Sequence, residues 1–391
     1  MSCEKVFPSS QRRARSASPA GRSLIRSSTA PGWSVRPKHF AGLLIEARLT
    51  VFVLILLVIT ILLRRVLLVV FLALKILGHP AALDAWRGPV LHQTISRFGI
   101  PVDVYGGSES DSPILIVHGV NPTGKNSLDL VRISEALAQV GYAVYVPDFA
   151  DMKKQHLRPE EAGNVKAVFH SIGRDAAIAC FSYGCGPALV AAADPEIRNR
   201  VRFAVAFGGY YDIRETLEYV VTAPESPLAY LKWVYLGANA DLAADARDQQ
   251  QLRKFAEDHG GASENLSPDA QSLLQIFFAS SPDDFRLRLR AGPEALRRRL
   301  DALSPSLHIN GLRAPLILIH GINDPAIPVQ QSLELAKAAR ANGLASSLTL
   351  LRMYGHVHPI LPKLGATTLL AFYIPETFRF LAVLNEVVAI Q

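Results

Sequence analysis

The chain has 391 residues, of which 49% are hydrophobic, so it can bury a core large enough for one domain with additions. Its formal net charge of +7 is concentrated at the N-terminus, where residues 1–48 carry nine Lys or Arg side chains against Glu4 and Glu46. The remaining residues carry equal numbers of basic and acidic side chains, which predicts no nucleic-acid partner. Three cysteines are too few for a disulfide framework.

The first segment, residues 1–40, is rich in Ser, Arg, Ala and Pro and has few large apolar side chains. Such a segment cannot bury enough surface to offset the entropy lost on ordering, so we expect a disordered basic tail. The same composition suits an organellar transit peptide or a start site placed upstream of the real one.

An uninterrupted apolar run, Leu49–Leu63, follows the tail. Fifteen helical residues span roughly 22 Å, less than the roughly 30 Å of a bilayer core. The run can cross if the helix continues past Arg64 and Arg65 towards Phe71, or if the flanking arginines snorkel. We predict a membrane anchor over residues 41–77, and therefore a membrane protein, with its orientation open because both flanks are basic. The alternatives are a buried core helix and a signal-like segment.

From residue 78 onward, short apolar strands alternate with helical segments. This alternation predicts an α/β fold with a mostly parallel sheet and helices on both faces. The predicted strands are Ile100–Tyr105 as an edge strand, Ile114–Val117, Ala143–Val146, Ala176–Phe181, Val201–Phe207, Pro315–Ile319 and Ser347–Met353. The alternation stops over residues 213–306, where the pattern is helical. We therefore expect a core in two parts, residues 78–212 and 307–391, with a helical cap inserted at 213–306; the alternative is an excursion without a catalytic role.

The sequence around Ser182, AAIACFSYGCG, predicts a sharp turn from a strand into a buried helix. Such a turn needs small residues two positions before and after the serine. Gly184 meets this requirement, whereas Cys180 stands where glycine is usual. Cys185 is a competing nucleophile, but a pattern centred on it would need small residues where the chain has Tyr183 and proline. The alternative is an ordinary strand-to-helix connection with a bonded hydroxyl.

A serine nucleophile needs a base and an acid that orients the base. Asp324 follows one predicted strand in HGINDPAIP, and His356 follows the last strand in MYGHVHP. Active sites of parallel sheets lie at the carboxyl ends of the strands, and the order Ser, Asp, His is the one expected for a strand-to-helix elbow. Asp212 and His358 remain alternatives. We prefer His356 because the glycine before it leaves room for the ring to turn inward.

An oxyanion formed at Ser182 needs backbone donors. The N–H of Tyr183 is one candidate, and the loop after His118 should supply the other, from Val120 or Asn121. Histidines 356 and 358 form a His-x-His pair without an obvious third ligand, so we expect no metal and no cofactor.

The strings LIVHGVNPTGK, PDF, CFSYGCG, HGINDPAIP and YGHVHP together resemble the α/β-hydrolase family, over about residues 90–212 and 307–391. The resemblance implies that Ser182 attacks an ester-like carbonyl to form an acyl-enzyme, that His356 relays the proton and that Asp324 holds the imidazole tautomer. With the anchor, this describes a membrane-anchored serine hydrolase for carboxylic esters, acting on a small or lipid-like ester. The alternatives are an acyltransferase with the same triad and a non-catalytic binding protein of the same fold.

Overall fold

The computed structural model describes residues 37–108, 111–223, 229–261 and 265–390, with side chains from Thr50 onward. The tail expected at 1–40 lies outside the described residues up to residue 36, and the first helix begins at Pro37. The boundary between two compact units falls between Ile61 and Leu62. The first unit includes the N-terminal part of the long helix, and the second unit contains the sheet and every other described element.

Strands and helices alternate through most of the second unit. The described α-helices are α1 (Pro37–Ile76), α2 (Ala81–Arg87), α3 (Leu128–Gln139), α4 (Ala150–Lys153), α5 (Glu160–Ser171), α6 (Cys185–Ala192), α7 (Ile213–Thr222), α8 (Leu231–Asn239), α9 (Ala246–Glu257), α10 (Pro268–Ile276), α11 (Pro282–Ala291), α12 (Glu294–Ala302), α13 (Val329–Ala341), α14 (Ala366–Thr368) and α15 (Ile374–Ala389). The described strands are β1 (His92–Arg97), β2 (Ile100–Tyr105), β3 (Ser112–Val117), β4 (Tyr142–Pro147), β5 (Ala176–Phe181), β6 (Val201–Phe207), β7 (Leu316–Gly321) and β8 (Ser346–Leu351).

The eight strands form one sheet in the order β1-β2-β4-β3-β5-β6-β7-β8. The pairs β1–β2 and β2–β4 are antiparallel, and every pair from β4 to β8 is parallel. The prediction of a mostly parallel sheet is confirmed. The prediction that β2 is the edge strand is wrong, because β1 pairs with it through a two-residue turn. The turn residues Phe98 and Gly99 both have positive φ, as tight hairpins require. The polar, exposed sequence of β1 gave no apolar signal.

Helices cover both faces of the sheet, and the strands alternate between two cores. On β5, Ile178 and Cys180 join the core that contains α5, α6 and α13. Ala177 and Ala179 join the opposite core, which contains the C-terminal part of α1 together with α2, α3 and α15. This two-sided burial explains why the parallel strands read as continuous apolar runs.

Helix α1 runs without a break past Arg64 and Arg65. The most apolar 18-residue window of its segment Thr50–Ile76 has a mean hydropathy of 2.9, and 6% of that window is buried. Within the second unit, Val69, Leu72 and Ala73 are buried. The segment Ala366–Ala389 is also long and apolar enough to cross a membrane; its most apolar 18-residue window has a mean hydropathy of 1.3, and 22% of that window is buried. Both statements rest on length and composition alone.

The described part of residues 213–306 is helical and contains α7 to α12, between β6 and β7. The sequence predicts one helical segment over Asp283–Leu300, whereas the structure divides it into α11 and α12. The division falls at Gly292, whose backbone is extended and precedes Pro293, a position that disfavours helical backbone. A Cβ at Gly292 would also lie 2.8 Å from the terminal methyl group of Ile276, so a larger residue there would require the Ile276 side chain to move.

Candidate active site

Ser182 lies on a strained turn between β5 and α6. Its φ of +53° is in the left-handed region, which non-glycine residues seldom adopt, as expected for a nucleophile elbow. A Cβ at Gly184 would overlap the carbonyl oxygen of His118, so this position requires glycine. Cys180 is buried, and its thiol donates to the carbonyl oxygen of Val205 at 3.3 Å. The cysteine that stands where glycine is usual is therefore accommodated between β5 and β6.

A continuous hydrogen-bond chain joins the serine, the histidine and the aspartate singled out from the sequence. The Ser182 hydroxyl lies 2.6 Å from His356 Nε2, and His356 Nδ1 lies 2.6 Å from Asp324 Oδ2. Because an ionised carboxylate only accepts, the Nδ1–H of His356 donates to Asp324, which leaves Nε2 free to accept the serine proton. The distance between Ser182 and His356 is within the reach needed for proton transfer.

Asp324 is held as an anion behind the histidine. Its Oδ1 accepts hydrogen bonds from the N–H groups of Ala326 and Ile327 at 2.8 and 2.9 Å. Burial raises the pKa of the Asp324 carboxyl, but hydrogen bonds from His320 and His356 outweigh it and lower the pKa to about 2. The group is therefore ionised throughout the neutral range and can stabilise an imidazolium on His356.

His320, which the sequence analysis did not single out, supports this carboxylate. The ring is fully buried, with Nε2 2.9 Å from the carbonyl oxygen of Ile327 and Nδ1 2.7 Å from the hydroxyl of Ser332. The same Nε2 lies 3.4 Å from Asp324 Oδ2. The sequence contains one signal for this role: a histidine lies on an otherwise apolar strand, four residues before Asp324.

The alternative acid, Asp212, has other partners. It caps α7 by accepting from Arg214 N at 2.9 Å, and its carboxylate also accepts from the Arg214 guanidinium and from the hydroxyls of Ser304 and Ser306. Burial raises the pKa of Asp212, and the hydrogen bonds from Arg214 lower it below its ordinary value. Asp212 therefore links the start of helix α7, through Arg214, to the loop after helix α12, through Ser304 and Ser306.

The alternative base and the alternative nucleophile also lie apart from the hydrogen-bond chain. His358 is 70% exposed, and its Nδ1 lies 3.1 Å from Asp129 Oδ2. Cys185 is fully buried, and burial, followed by its contact with Cys180, raises the pKa of its thiol well above the ordinary value. A protonated, inaccessible thiol cannot compete with Ser182.

The sequence predicts two residues whose backbone N–H groups would donate to an oxyanion at Ser182. Val120 and Tyr183 line the same cavity as Ser182. A Cβ at Gly119 would lie 3.0 Å from the Cβ of Ser182, so a side chain there would crowd the serine. Asn121, the other candidate, uses its side-chain oxygen to accept from the N–H and hydroxyl of Thr123 at 2.9 and 2.7 Å, which shapes the loop.

His118 fixes the orientation of this loop. Its Nε2 accepts from the N–H of Phe149 at 3.2 Å, so the proton is on Nδ1, which donates to the Gly119 carbonyl oxygen at 2.7 Å. Burial lowers the pKa of His118, so the ring is neutral. Because that carbonyl and the Val120 N–H belong to one planar peptide unit, the hydrogen bond sets the direction of the N–H. From the sequence, His118 only marks where this loop begins.

Ser182 lines a cavity of about 330 Å³. One wall comes from the core, and another comes from helix α8 of the inserted segment and the residue before it, through Tyr230, Leu231, Val234 and Tyr235. Most of this wall is apolar or aromatic, which suits a substrate with an apolar group next to the reacting carbonyl.

No protein-family model and no curated protein matches the chain. Among solved structures it resembles a membrane phospholipase A described as a bacterial virulence factor, at 19% identity over 87% of this chain and 99% of that chain, with a TM-score of 0.42. It also resembles a putative lipase from Acinetobacter baumannii AYE, at 16% identity over 77% and 95% of the two chains, with a TM-score of 0.41.

An acylaminoacyl peptidase from Pyrococcus horikoshii matches at 14% identity and a TM-score of 0.43, over 69% of this chain. This chain spans 38% of that peptidase and 37% of a puromycin-hydrolyzing peptidase from Mycobacterium tuberculosis. By its strand order, its two-sided helical cover and the elbow at Ser182, the chain has the α/β-hydrolase fold.

Proposed function

We propose that the protein is a serine hydrolase that cleaves carboxylic esters through an acyl-enzyme on Ser182. The observation that carries this proposal is the unbroken chain of short hydrogen bonds from Ser182 through His356 to a buried, ionised Asp324. It ends in a strained serine that faces a largely apolar cavity. Such an arrangement activates a hydroxyl that is otherwise a poor nucleophile.

In the first half-reaction, Ser182 Oγ forms a bond to the ester carbonyl carbon while its proton moves to His356 Nε2. The tetrahedral intermediate collapses as the carbon–oxygen bond to the alcohol breaks, and His356 returns the proton to the departing alkoxide. In the second, His356 takes a proton from water, the hydroxide attacks the acyl carbon, and the acid leaves as Ser182 regains its proton. Asp324 stays ionised throughout.

Negative charge on the carbonyl oxygen is stabilised by the backbone N–H groups of Val120 and Tyr183. Each donor of this kind typically contributes about 3 to 4 kcal/mol to the transition state. His118 and Gly119 act through the first of these donors: one fixes the peptide plane, and the other keeps side-chain atoms away from the nucleophile.

We further propose that helix α1 attaches the enzyme to a membrane. The side chains of Val51–Leu63 are about half exposed or more, and every one except Thr60 is apolar. Two arginines follow at positions 64 and 65, where a helix leaving the hydrocarbon would place them. The segment that contains this stretch is long and apolar enough to cross a bilayer.

The proposed reaction is tested by incubating the purified full-length protein in detergent with 4-nitrophenyl esters and measuring the released acid as well as the phenol. Equal release of both supports hydrolysis. Release of phenol with formation of a new ester from added alcohol would indicate acyl transfer. No turnover of any ester by correctly folded protein would overturn the proposal, and Ser182→Ala is the matched control.

A further inference from the structure

A second cavity lies between the sheet and the helices α1, α3 and α15. Its volume is about 130 Å³, and its walls are almost entirely apolar. The strands contribute side chains such as Ala179 and Phe207, and helix α15 contributes Phe380 and Leu384. This cavity is on the sheet face opposite to the core formed with α5, α6 and α13.

The second cavity borders the cavity of the nucleophile. Four residues line both: Asp129, Ile133, Phe181 and Val357. Phe181 directly precedes Ser182, and Val357 directly follows His356. The partition between the cavities therefore consists of partly exposed side chains next to the reacting groups.

The side chains around the second cavity are apolar, as expected for a site that binds a lipid chain. Ile76, which lines it, is the last residue of helix α1 and packs against the same apolar core as Val69 and Leu72. The loop and helix that follow His358 add apolar side chains, each more than half exposed: Ile360, Leu361, Leu364, Leu370 and Phe378. An exposed apolar patch of this kind marks an interaction surface. The only charged side chains in the lining are Asp129 and Arg132, which pair at 3.0 Å.

We infer that the second cavity is the binding site for the acyl chain of the ester substrate, so that the enzyme acts on esters of fatty acids. This inference rests on the proposed ester hydrolysis at Ser182. The chain passes between Phe181 and Val357 and lies against Ala179 and α15, while the carbonyl stays beside Ser182. The alcohol portion then occupies the cavity under α8.

The first test compares acetyl, butanoyl, octanoyl, dodecanoyl and hexadecanoyl esters of one alcohol in full-length protein. Each additional buried methylene should raise kcat/KM roughly fourfold until the cavity is filled. Ala179→Leu fills part of the cavity and should lower the ratio of long-chain to short-chain kcat/KM by on the order of tenfold or more. Ala179→Val should give an intermediate ratio. A ratio cancels any difference in the amount of folded enzyme.

Val234→Phe is the matched control, because it adds volume to the other cavity, on α8. It should leave the preferred acyl length unchanged. If Val234→Phe shortens the preferred chain and Ala179→Leu does not, the acyl chain lies under α8 and the inference is overturned.

A second test does not depend on turnover. A fatty-acyl analogue with a photoreactive diazirine at its terminal carbon is irradiated with the Ser182→Ala protein, and the attachment site is located by mass spectrometry. Attachment to Phe380, Leu384 or their neighbours on α15 supports the acyl site. Attachment only to α8 overturns it. A protein that fails to cleave esters but attaches the analogue on α15 would overturn the proposed hydrolysis and keep the chain-binding site.

Discussion

Ser182 Oγ and His356 Nε2 lie 2.6 Å apart although 174 positions separate them in the chain. The parallel sheet brings them together, because Ser182 follows β5, His356 follows β8, and the carboxyl ends of both strands meet at one edge.

If this contact activates the hydroxyl, Ser182→Ala should lower kcat by roughly 10⁶-fold. The change in melting temperature should stay small, because the hydroxyl contributes chemistry rather than packing. Ester hydrolysis and thermal unfolding measure the two effects, and a variant with near-normal kcat would refute the assignment.

The two candidate acids make a matched pair. Asp324→Asn should lower kcat by about 10⁴-fold, because the amide no longer holds the Nδ1–H tautomer of His356. Asp212→Asn should leave kcat within a few-fold and instead lower stability by about 1 to 3 kcal/mol, since it disturbs the buried bonds to Arg214 and Ser304. Kinetics and denaturant unfolding of both variants check the assignment. The reverse pattern would make Asp212 the acid.

His118 is a positioning residue whose contribution should appear in kcat. His118→Ala frees the Gly119–Val120 peptide to turn, so kcat should fall by on the order of 10²-fold, the loss expected for one oxyanion donor, while KM changes little. His118→Asn, whose side-chain amide can still donate to the neighbouring carbonyl, should recover part of the loss. A fall in stability with unchanged kcat in the folded fraction would assign His118 a purely structural role.

The raised pKa of Glu161 predicts that the stability of the protein depends on pH. Its side chain is almost fully buried on α5, and burial raises its pKa to about 7, more than the hydrogen bond from Asn164 lowers it. Between the ordinary pKa of 4.5 and this value, the folded state holds a proton that the unfolded state lacks. The Glu161 contribution to stability is therefore complete below pH 4.5 and is lost as the pH rises through about 7.

Glu161→Gln removes this titration. Relative to the parent protein, the variant should gain about 3 kcal/mol of stability between these two pH values, as measured by urea unfolding across the range. Glu160→Gln, at the neighbouring exposed position, should show no such trend. A pH-independent difference for Glu161→Gln would mean that the Glu161 carboxyl titrates normally.

The membrane attachment can be tested in the full-length chain. Leu57, which is 54% exposed on α1, should tolerate alanine but not arginine if α1 lies in lipid. An arginine near the middle of a spanning helix costs about 3 kcal/mol, so Leu57→Arg should move protein from the carbonate-resistant membrane fraction to the soluble fraction. Equal retention of both variants would contradict the anchor.

The apolar strands and the elbow could be predicted from sequence because strands buried on both faces read as short apolar runs between turn residues. Strand β1 could not, since its polar, exposed side chains carry no such signal. The division between α11 and α12 falls at Gly292 and Pro293, a local helix-breaking pair that the helical pattern of Asp283–Leu300 obscured. Local patterns thus predicted the centre of the sheet better than its edge and the inserted helices.

The sequence singled out Ser182, Asp324 and His356 because each follows a strand of its own. It left Asp212 and His358 open, because residue type and strand position are the same for both alternatives. Only their partners distinguish them, namely Arg214 for the acid and Asp129 for the histidine. His118 and His320 escaped notice for a related reason: they act through backbone groups and a carboxylate brought close by folding.

The most direct test is fluorophosphonate labelling of the detergent-solubilised full-length protein, with the modified residue located by mass spectrometry. Such reagents modify serines that a neighbouring base has activated. We expect a single label on Ser182, absent in Ser182→Ala and strongly slowed in Asp324→Asn. No label on correctly folded protein, or a label that persists in Ser182→Ala, would contradict the central claim that Ser182 is the nucleophile.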